Sequence, residues 1–302
     1  MSTGYVLDDL QVESTGDNAM GAIEDFSSDA ISIERNGHVG TLWLDRPEKR
    51  NAMNRELWTG IIAGLEALEA DGETRVILLA GKGKSFCVGL DLAMLTAGAS
   101  ESGLGGGGKK SGATAHLEQL RRTQEIQSAV TALSKTKVPV IAAIHGHCIG
   151  GGVDMITACD IRLAAEDAIF SIRETKIGIV ADVGTLQRLP KIVTAGHVAE
   201  LAYTGKDIGA KRAEEIGLLN SVHADFDATY QAAFDIALEI AANSPLTVQG
   251  TRFVLEQGEN LTTDQSLLLN GIWTMMTSLQ SNDLREAMAA FLEKRPADYD
   301  GT

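Results

Sequence analysis

Two short aliphatic runs, residues 75–80 and 138–144, constrain the fold of this 302-residue chain more than any other feature. Both are almost wholly apolar and lack the polar alternation of a half-wet strand, so each reads as a strand buried inside the protein. Each then enters a glycine-containing turn, and the strand-turn-helix layout over 75–95 resembles that over 138–158. Around them, Ile31 to Leu44 is a pair of alternating runs divided by Asn36-Gly37, which predicts an antiparallel hairpin. Asn54 can cap a helix reaching Asp71, with Leu57, Ile61, Leu65 and Leu68 at helical spacing.

Further helices are predicted over about 116–134 and 151–158, and short strands over 160–164 and 168–172, followed by a loop to Asp182. Residues 183–219 read as helices rich in alanine and leucine, 227–256 as long helices, and 283–293 as a last amphipathic helix. Alternating helices and aliphatic strands imply an α/β fold with a helical C-terminal third. The expected organisation is a flexible acidic arm over 1–28, a core over 29–225 and a C-terminal helical region over 226–302. The glycine run over 103–112 is expected to be a flexible loop.

Composition narrows the function. The chain carries 41 acidic and 26 basic residues, a net charge of −15, which repels phosphate backbones and argues against a nucleic-acid binder. An anionic ligand must therefore meet a local basic patch, and Arg46, Lys49 and Arg50 offer one. No apolar run approaches the roughly 20 residues that cross a bilayer, so no membrane partner is expected. Cys87, Cys148 and Cys159 are odd in number and set among apolar residues or glycine, which suits reduced thiols in a core. The first thirty residues hold seven acids and no base, unlike an Arg-rich transit peptide, and Asp300-Gly301-Thr302 is not the peroxisomal tripeptide. The expected compartment is the cytoplasm.

The chemistry concentrates in two turns and three acids. Lys84-Ser85-Phe86-Cys87-Val88-Gly89-Leu90-Asp91-Leu92 and His145-Gly146-His147-Cys148-Ile149-Gly150-Gly151-Gly152-Val153-Asp154 both follow buried strands. Such turns expose backbone N–H groups, and a helix N-terminus adds a favourable dipole, so each can donate to one oxyanion. Neither GxGxxG nor GxxxxGKS occurs, which removes the common nucleotide cradles. Asp154, Glu174 and Asp182 lie among glycines and aliphatics, where an ionised carboxylate needs a partner or a task. Their ordinary explanations are a helix N-terminus for Asp154, pairing with Arg173 or Lys176 for Glu174, and a cap for Asp182. His145 and His147 have no partners at zinc spacing, so His145 is expected to pack and no metal is expected. Ser85 and Cys87 lack a local base.

Together, HGHCIGGGVDMITACDIRLAAEDAIFSIRETKIGIVADVGTLQRLP, SFCVGLDL, Asp45-Arg46-Pro47-Glu48-Lys49-Arg50-Asn51-Ala52-Met53-Asn54, the 135–143 segment and Asn243-Ser244-Pro245 resemble the crotonase, or enoyl-CoA hydratase/isomerase, superfamily over about residues 30–296. That resemblance implies a spiral of ββα units and a C-terminal helical region used in trimerisation, often in a dimer of trimers. The implied substrate is an acyl-coenzyme A thioester, with coenzyme A part of the substrate and no separate cofactor. The N–H groups of Leu90 and Gly151 would hold the thioester oxygen, and losing one such donor would cost about 3 kcal/mol. Arg50, Ala52, Lys49 and Val88 would lie near the nucleotide of coenzyme A.

Asp154 and Glu174 keep the spacing of the two hydratase glutamates, but Asp154 is shorter, and Asp182 stands where hydratases usually have glycine. An aspartate at the first position, a third acid in the loop and GTLQRLP after it resemble the Δ3,5-Δ2,4-dienoyl-CoA isomerases within that superfamily. Such an enzyme takes a proton from C2 and returns one at C6, so a carboxylate near each carbon is useful. Glu174 is expected as the base at C2 and Asp182 as the acid at C6, with the reverse assignment open and Asp154 auxiliary. Asp182 must then be protonated while Glu174 is ionised, and close carboxylates in an apolar pocket can titrate apart in that way. The alternatives are a hydratase using Asp154 and Glu174, and a non-catalytic scaffold or RNA-binding protein on the same fold.

Overall fold

The computed structural model describes residues 21–22, 26–91 and 112–302. The glycine run therefore lies almost wholly outside the described residues, as does most of the acidic arm. Strands β1 (Gly21–Ala22), β2 (Ile31–Asn36), β3 (Val39–Leu44), β4 (Val76–Gly81), β5 (Val140–Ile144), β7 (Ile161–Ala165) and β10 (Ser221–His223) form one sheet in the order β1-β2-β3-β4-β5-β7-β10. The hairpin expected at Asn36-Gly37 is the antiparallel β2–β3 pair, and Gly37 adopts the positive φ that its turn requires. From β3 onward every pairing in this sheet is parallel.

The aliphatic runs explain the layering. Along β4, Val76, Leu78 and Ala80 pack on one face with Ala233, Ala237 and Ala241 of the helix Phe226–Ala241. Ile77 and Leu79 face the other way, into the larger core beneath the helix Arg55–Ala70. Both faces are dry, which is why the run needed no polar alternation. That packing makes the helix Phe226–Ala241 part of the sheet's core, although sequence grouping had placed it with the C-terminal helices. Asn54 caps the helix Arg55–Ala70 as expected, its side chain accepting from the Leu57 N–H at 3.0 Å.

A second, small sheet positions the site. Strands β6 (His147–Ile149), β8 (Ile169–Ser171) and β9 (Ile208–Gly209) lie in the order β6-β8-β9. The short helix Gly151–Thr157 leaves β6 directly, and the helix Gly112–Lys135 docks through buried Ala129, Val130 and Leu133. The helices Pro245–Gly258, Thr263–Met276 and Asn282–Glu293 complete the C-terminal part. Among the described residues no helix is long and apolar enough to cross a membrane.

Candidate active site

Backbone pairing brings the two glycine turns together. Phe86 N–H donates to His145 O, Cys87 N–H to His147 O and Ile149 N–H to Cys87 O, each at 2.9 Å. On the other side, Met53 N–H donates to Gly89 O at 2.8 Å and Asp91 N–H to Met53 O at 3.0 Å. These bonds bracket Leu90, whose own N–H meets no acceptor among the described residues. Gly150 N–H donates to Ser171 O at 2.9 Å, and the helix then starts at Gly151, whose N–H is one of the unsatisfied first-turn donors. A Cβ on Gly89, where φ is 86°, would stand 2.9 Å from Ile149 O and 3.7 Å from Gly151 N. Only glycine permits that approach, and it sets the two free donors side by side.

The carboxylates gather beside this pair. Asp154 is 1% exposed, and its Oδ1 accepts the Thr185 N–H at 2.6 Å. Burial pushes its carboxyl above the usual range, against the hydrogen bonds from Thr185 and the Arg188 guanidinium, while Asp182 adds to the rise. Glu174 opens the 3-10 turn Glu174–Ile177, is half-buried, and keeps Oε2 buried without a partner. Burial raises its carboxyl to about 7, opposed by a backbone hydrogen bond and reinforced by the charges of Asp154 and Asp182. Its Oε1 would stand 3.1 Å from a Cβ on Gly150, next to the Gly151 donor.

Of the ordinary explanations of these acids only that of Asp154 stands, since it lies in the first turn of the helix Gly151–Thr157. Arg173 pairs with Asp207, at 3.1 and 2.5 Å, and not with Glu174. The helix Thr185–Arg188 has Gly184 at its N-cap, with Asp154 rather than Asp182 receiving its first N–H. One expectation is corrected: Asp182 is exposed, because its turn lies at the molecular surface, so it does not share the dry environment. The strongly raised carboxyl is that of Glu174, the residue expected to be ionised.

The basic cluster divides. Lys49 and Arg50 are exposed at the end of the 3-10 turn Pro47–Lys49, with Arg50 in the left-handed region at φ 49°. Arg46 turns inward instead, pairing with Asp91 at 3.3 Å and donating to Ala52 O. Ala52 is buried, and its N–H donates to Lys49 O at 3.0 Å. Val88 is half-buried, with its N–H donating to Arg50 O at 3.2 Å. A Cβ on Gly83 would meet Pro47 at 2.6 Å, so exposed Lys84 joins Lys49 and Arg50 on one rim. Sequence reading missed Asn51, fully buried, which accepts from Arg46 N–H at 2.8 Å and donates to Lys82 O at 3.0 Å and Ser85 O at 2.9 Å. It staples the basic turn to the oxyanion turn, and its left-handed φ of 56° beside Arg50 is the local signal of a forced backbone.

His145 packs, as expected: its ring lies 4.2 Å from that of Phe226, and Nε2 bonds to Gly83 O at 2.9 Å. The three cysteines are buried and free, with burial pushing the thiols of Cys87 and Cys159 up to about 12. Among the described residues no cluster of His, Cys, Asp or Glu could hold a metal ion.

Two free N–H groups beside a carboxyl poised near neutrality define a site for stabilising an enolate and moving its proton. Comparison with known proteins agrees with that chemistry. The family model for enoyl-CoA hydratase/isomerase matches residues 34–302, and the chain belongs to that family. It is 42% identical over 270 residues to the mitochondrial Delta(3,5)-Delta(2,4)-dienoyl-CoA isomerase of Dictyostelium discoideum, covering 88% of this chain and 89% of that one. To the peroxisomal Delta(3,5)-Delta(2,4)-dienoyl-CoA isomerase of Arabidopsis thaliana it is 41% identical, covering 84% and 90%. Among solved structures it resembles the enoyl-CoA hydratase of Bacillus anthracis, with a TM-score of 0.80, 30% identity and coverage of 90% and 100%. The expected crotonase spiral is thereby established. The cytoplasmic expectation is corrected, since these relatives are mitochondrial or peroxisomal. Buried reduced thiols argue only against an oxidising compartment and could not choose among the others.

Proposed function

We propose that the chain is a dienoyl-CoA isomerase converting a 3,5-dienoyl to a 2,4-dienoyl thioester, a step in degrading unsaturated fatty acids. The observation that carries this reading is a third acid at the site: Glu174 lies against Gly150, one residue from the Gly151 donor, and Asp182 is near enough for its charge to act on Glu174. A thioester oxygen held by the Leu90 and Gly151 N–H groups puts C2, the next carbon, beside Glu174. Ionised Glu174 removes the C2 proton, and the electrons of that C–H bond delocalise over the thioester oxygen and the diene. A proton is then returned to C6 at Asp182, drawn from the water to which that exposed side chain is open, leaving double bonds at C2 and C4. Glu174 afterwards loses its proton to water, which closes the cycle.

Asp154 in this reading is not a proton carrier. Its carboxylate, holding the Thr185 N–H, anchors the segment that bears Asp182 and adds negative charge that raises Glu174. Lys49, Arg50 and Lys84 on the rim meet the phosphates of coenzyme A, a local exception in a chain of net charge −15. A homo-oligomer, a trimer or a dimer of trimers, fits the exposed Leu267, Leu268, Met275, Met276, Phe291 and Leu292 of the C-terminal helices.

The test compares two thioesters. The protein should develop the absorbance of a conjugated 2,4-dienoyl product from 3,5-dienoyl-CoA. Absence of that product together with hydration of 2-enoyl-CoA would establish the hydratase alternative. No turnover of either thioester, by the protein or by its Glu174→Gln and Asp182→Asn variants, would support the scaffold.

A further inference from the structure

The mechanism leaves one question to the fold: what holds an exposed acid at a fixed distance from a half-buried base. Asp182 lies on a surface turn, and no ion pair fixes its side chain among the described residues. Its backbone is nevertheless tied down from a distance. Gln127, on the helix Gly112–Lys135, donates from Nε2 to the Asp182 carbonyl at 2.6 Å. One helical turn further along, Thr131 Oγ1 accepts from Arg188 Nη2 at 3.0 Å. Arg188 folds back over Gly184, where φ is 136° and its guanidinium occupies the place a Cβ would take, and Nη1 reaches Val183 O at 3.4 Å. The turn at 182–188 is thus gripped at both ends by one helix face, and from below by Asp154 through Thr185.

The helix can serve as a rigid reference because its Ala129, Val130 and Leu133 are fully buried. Gln127 and Thr131 contribute little to that burial, since both are only partly covered. Their polar atoms reach over fifty residues along the chain to the turn that carries the second acid.

We propose that Gln127 and Thr131 are positioning residues that set where Asp182 stands relative to C6. They touch no substrate. They act through the Asp182 carbonyl and through Arg188, and they leave Glu174 and both oxyanion donors alone. This inference rests on the isomerase reading.

The test follows 3,5-dienoyl-CoA in deuterium oxide with the full-length protein, recording both deuterium uptake at C2 of recovered substrate and formation of the 2,4-product. Exchange at C2 needs Glu174 and the oxyanion pair, whereas product also needs Asp182. Gln127→Ala and Thr131→Val should keep C2 exchange and the melting temperature. Each should lower isomerisation about tenfold, and the pair about a hundredfold, the cost of displacing a reacting group by an ångström or so. Gln127→Lys, which keeps a donor of similar reach, should recover most of the loss. An unchanged ratio of product to exchange in the double variant would overturn the proposal, as would a parallel loss of both reactions. If the unsubstituted protein forms no 2,4-product, the isomerase reading falls and this inference with it.

Discussion

The raised carboxyl of Glu174 can be isolated from the rest of the mechanism. A saturated acyl-CoA deuterated at C2 has no conjugated chain, so washing its deuterium into water calls on Glu174 and the oxyanion donors but not on Asp182. With the carboxyl at about 7 against an ordinary value of 4.5, the ionised fraction is about a half at pH 7, about a tenth at pH 6 and about a hundredth at pH 5. The washout rate, followed by mass spectrometry, should therefore fall roughly a hundredfold between pH 8 and pH 5. A carboxylate of ordinary strength would lose less than about half over the same range. Asp154→Asn removes one charge that raises Glu174 but not the burial that dominates, so the midpoint should move to lower pH while staying well above 4.5. A midpoint near 4.5 in the unsubstituted protein, or washout that survives Glu174→Gln, would refute the reasoning.

The same shift has a consequence for stability. A carboxyl raised in the folded state contributes stability that is intact below its unfolded value and is lost as pH rises through about 7. Glu174→Gln should accordingly be more stable than the parent at pH 8, by on the order of 1–2 kcal/mol after allowing for partial solvent screening, and equal to it near pH 4 in urea titrations. Asn51→Ala should cost about 2–4 kcal/mol, because it strands buried backbone groups of Arg46, Lys82 and Ser85; a loss below about 1 kcal/mol would remove its role as a staple. Lys49→Ala with Arg50→Ala should raise KM for coenzyme A thioesters about tenfold, more weakly at high salt, while turnover of a pantetheine thioester stays unchanged. Equal effects on both thioesters would move the nucleotide away from this rim.

Local signals were legible in the sequence where a single residue carries the reason. Asn36-Gly37 announced the hairpin, Asn54 the helix start, and the unbroken aliphatic runs a sheet covered on both faces. The turns around Leu90 and Gly151 were readable as donors only through their likeness to the family's two turns, since glycine there serves close packing equally well. Distant pairings were not. Asn51 bonds the carbonyls of Lys82 and Ser85, and Gln127 that of Asp182, contacts that no periodicity marks. Arg46 looked like its neighbours Lys49 and Arg50 but turns toward Asp91, a choice made by the fold of the turn. Asp182 read as buried from the aliphatics before it, yet Ile179 and Val180 are themselves exposed beside it. The helix Thr263–Met276 escaped notice because polar residues at its start and Gly271 within it obscure its apolar positions.

The central claim is that two carboxylates, not one, move the proton from C2 to C6, and the origin of the new C6 hydrogen tests it most directly. In deuterium oxide, nuclear magnetic resonance of the 2,4-dienoyl product should find solvent deuterium at C6, because exposed Asp182 exchanges with water before it donates. Hydrogen from C2 retained at C6 would mean that Glu174 alone carries it across, and would contradict the account.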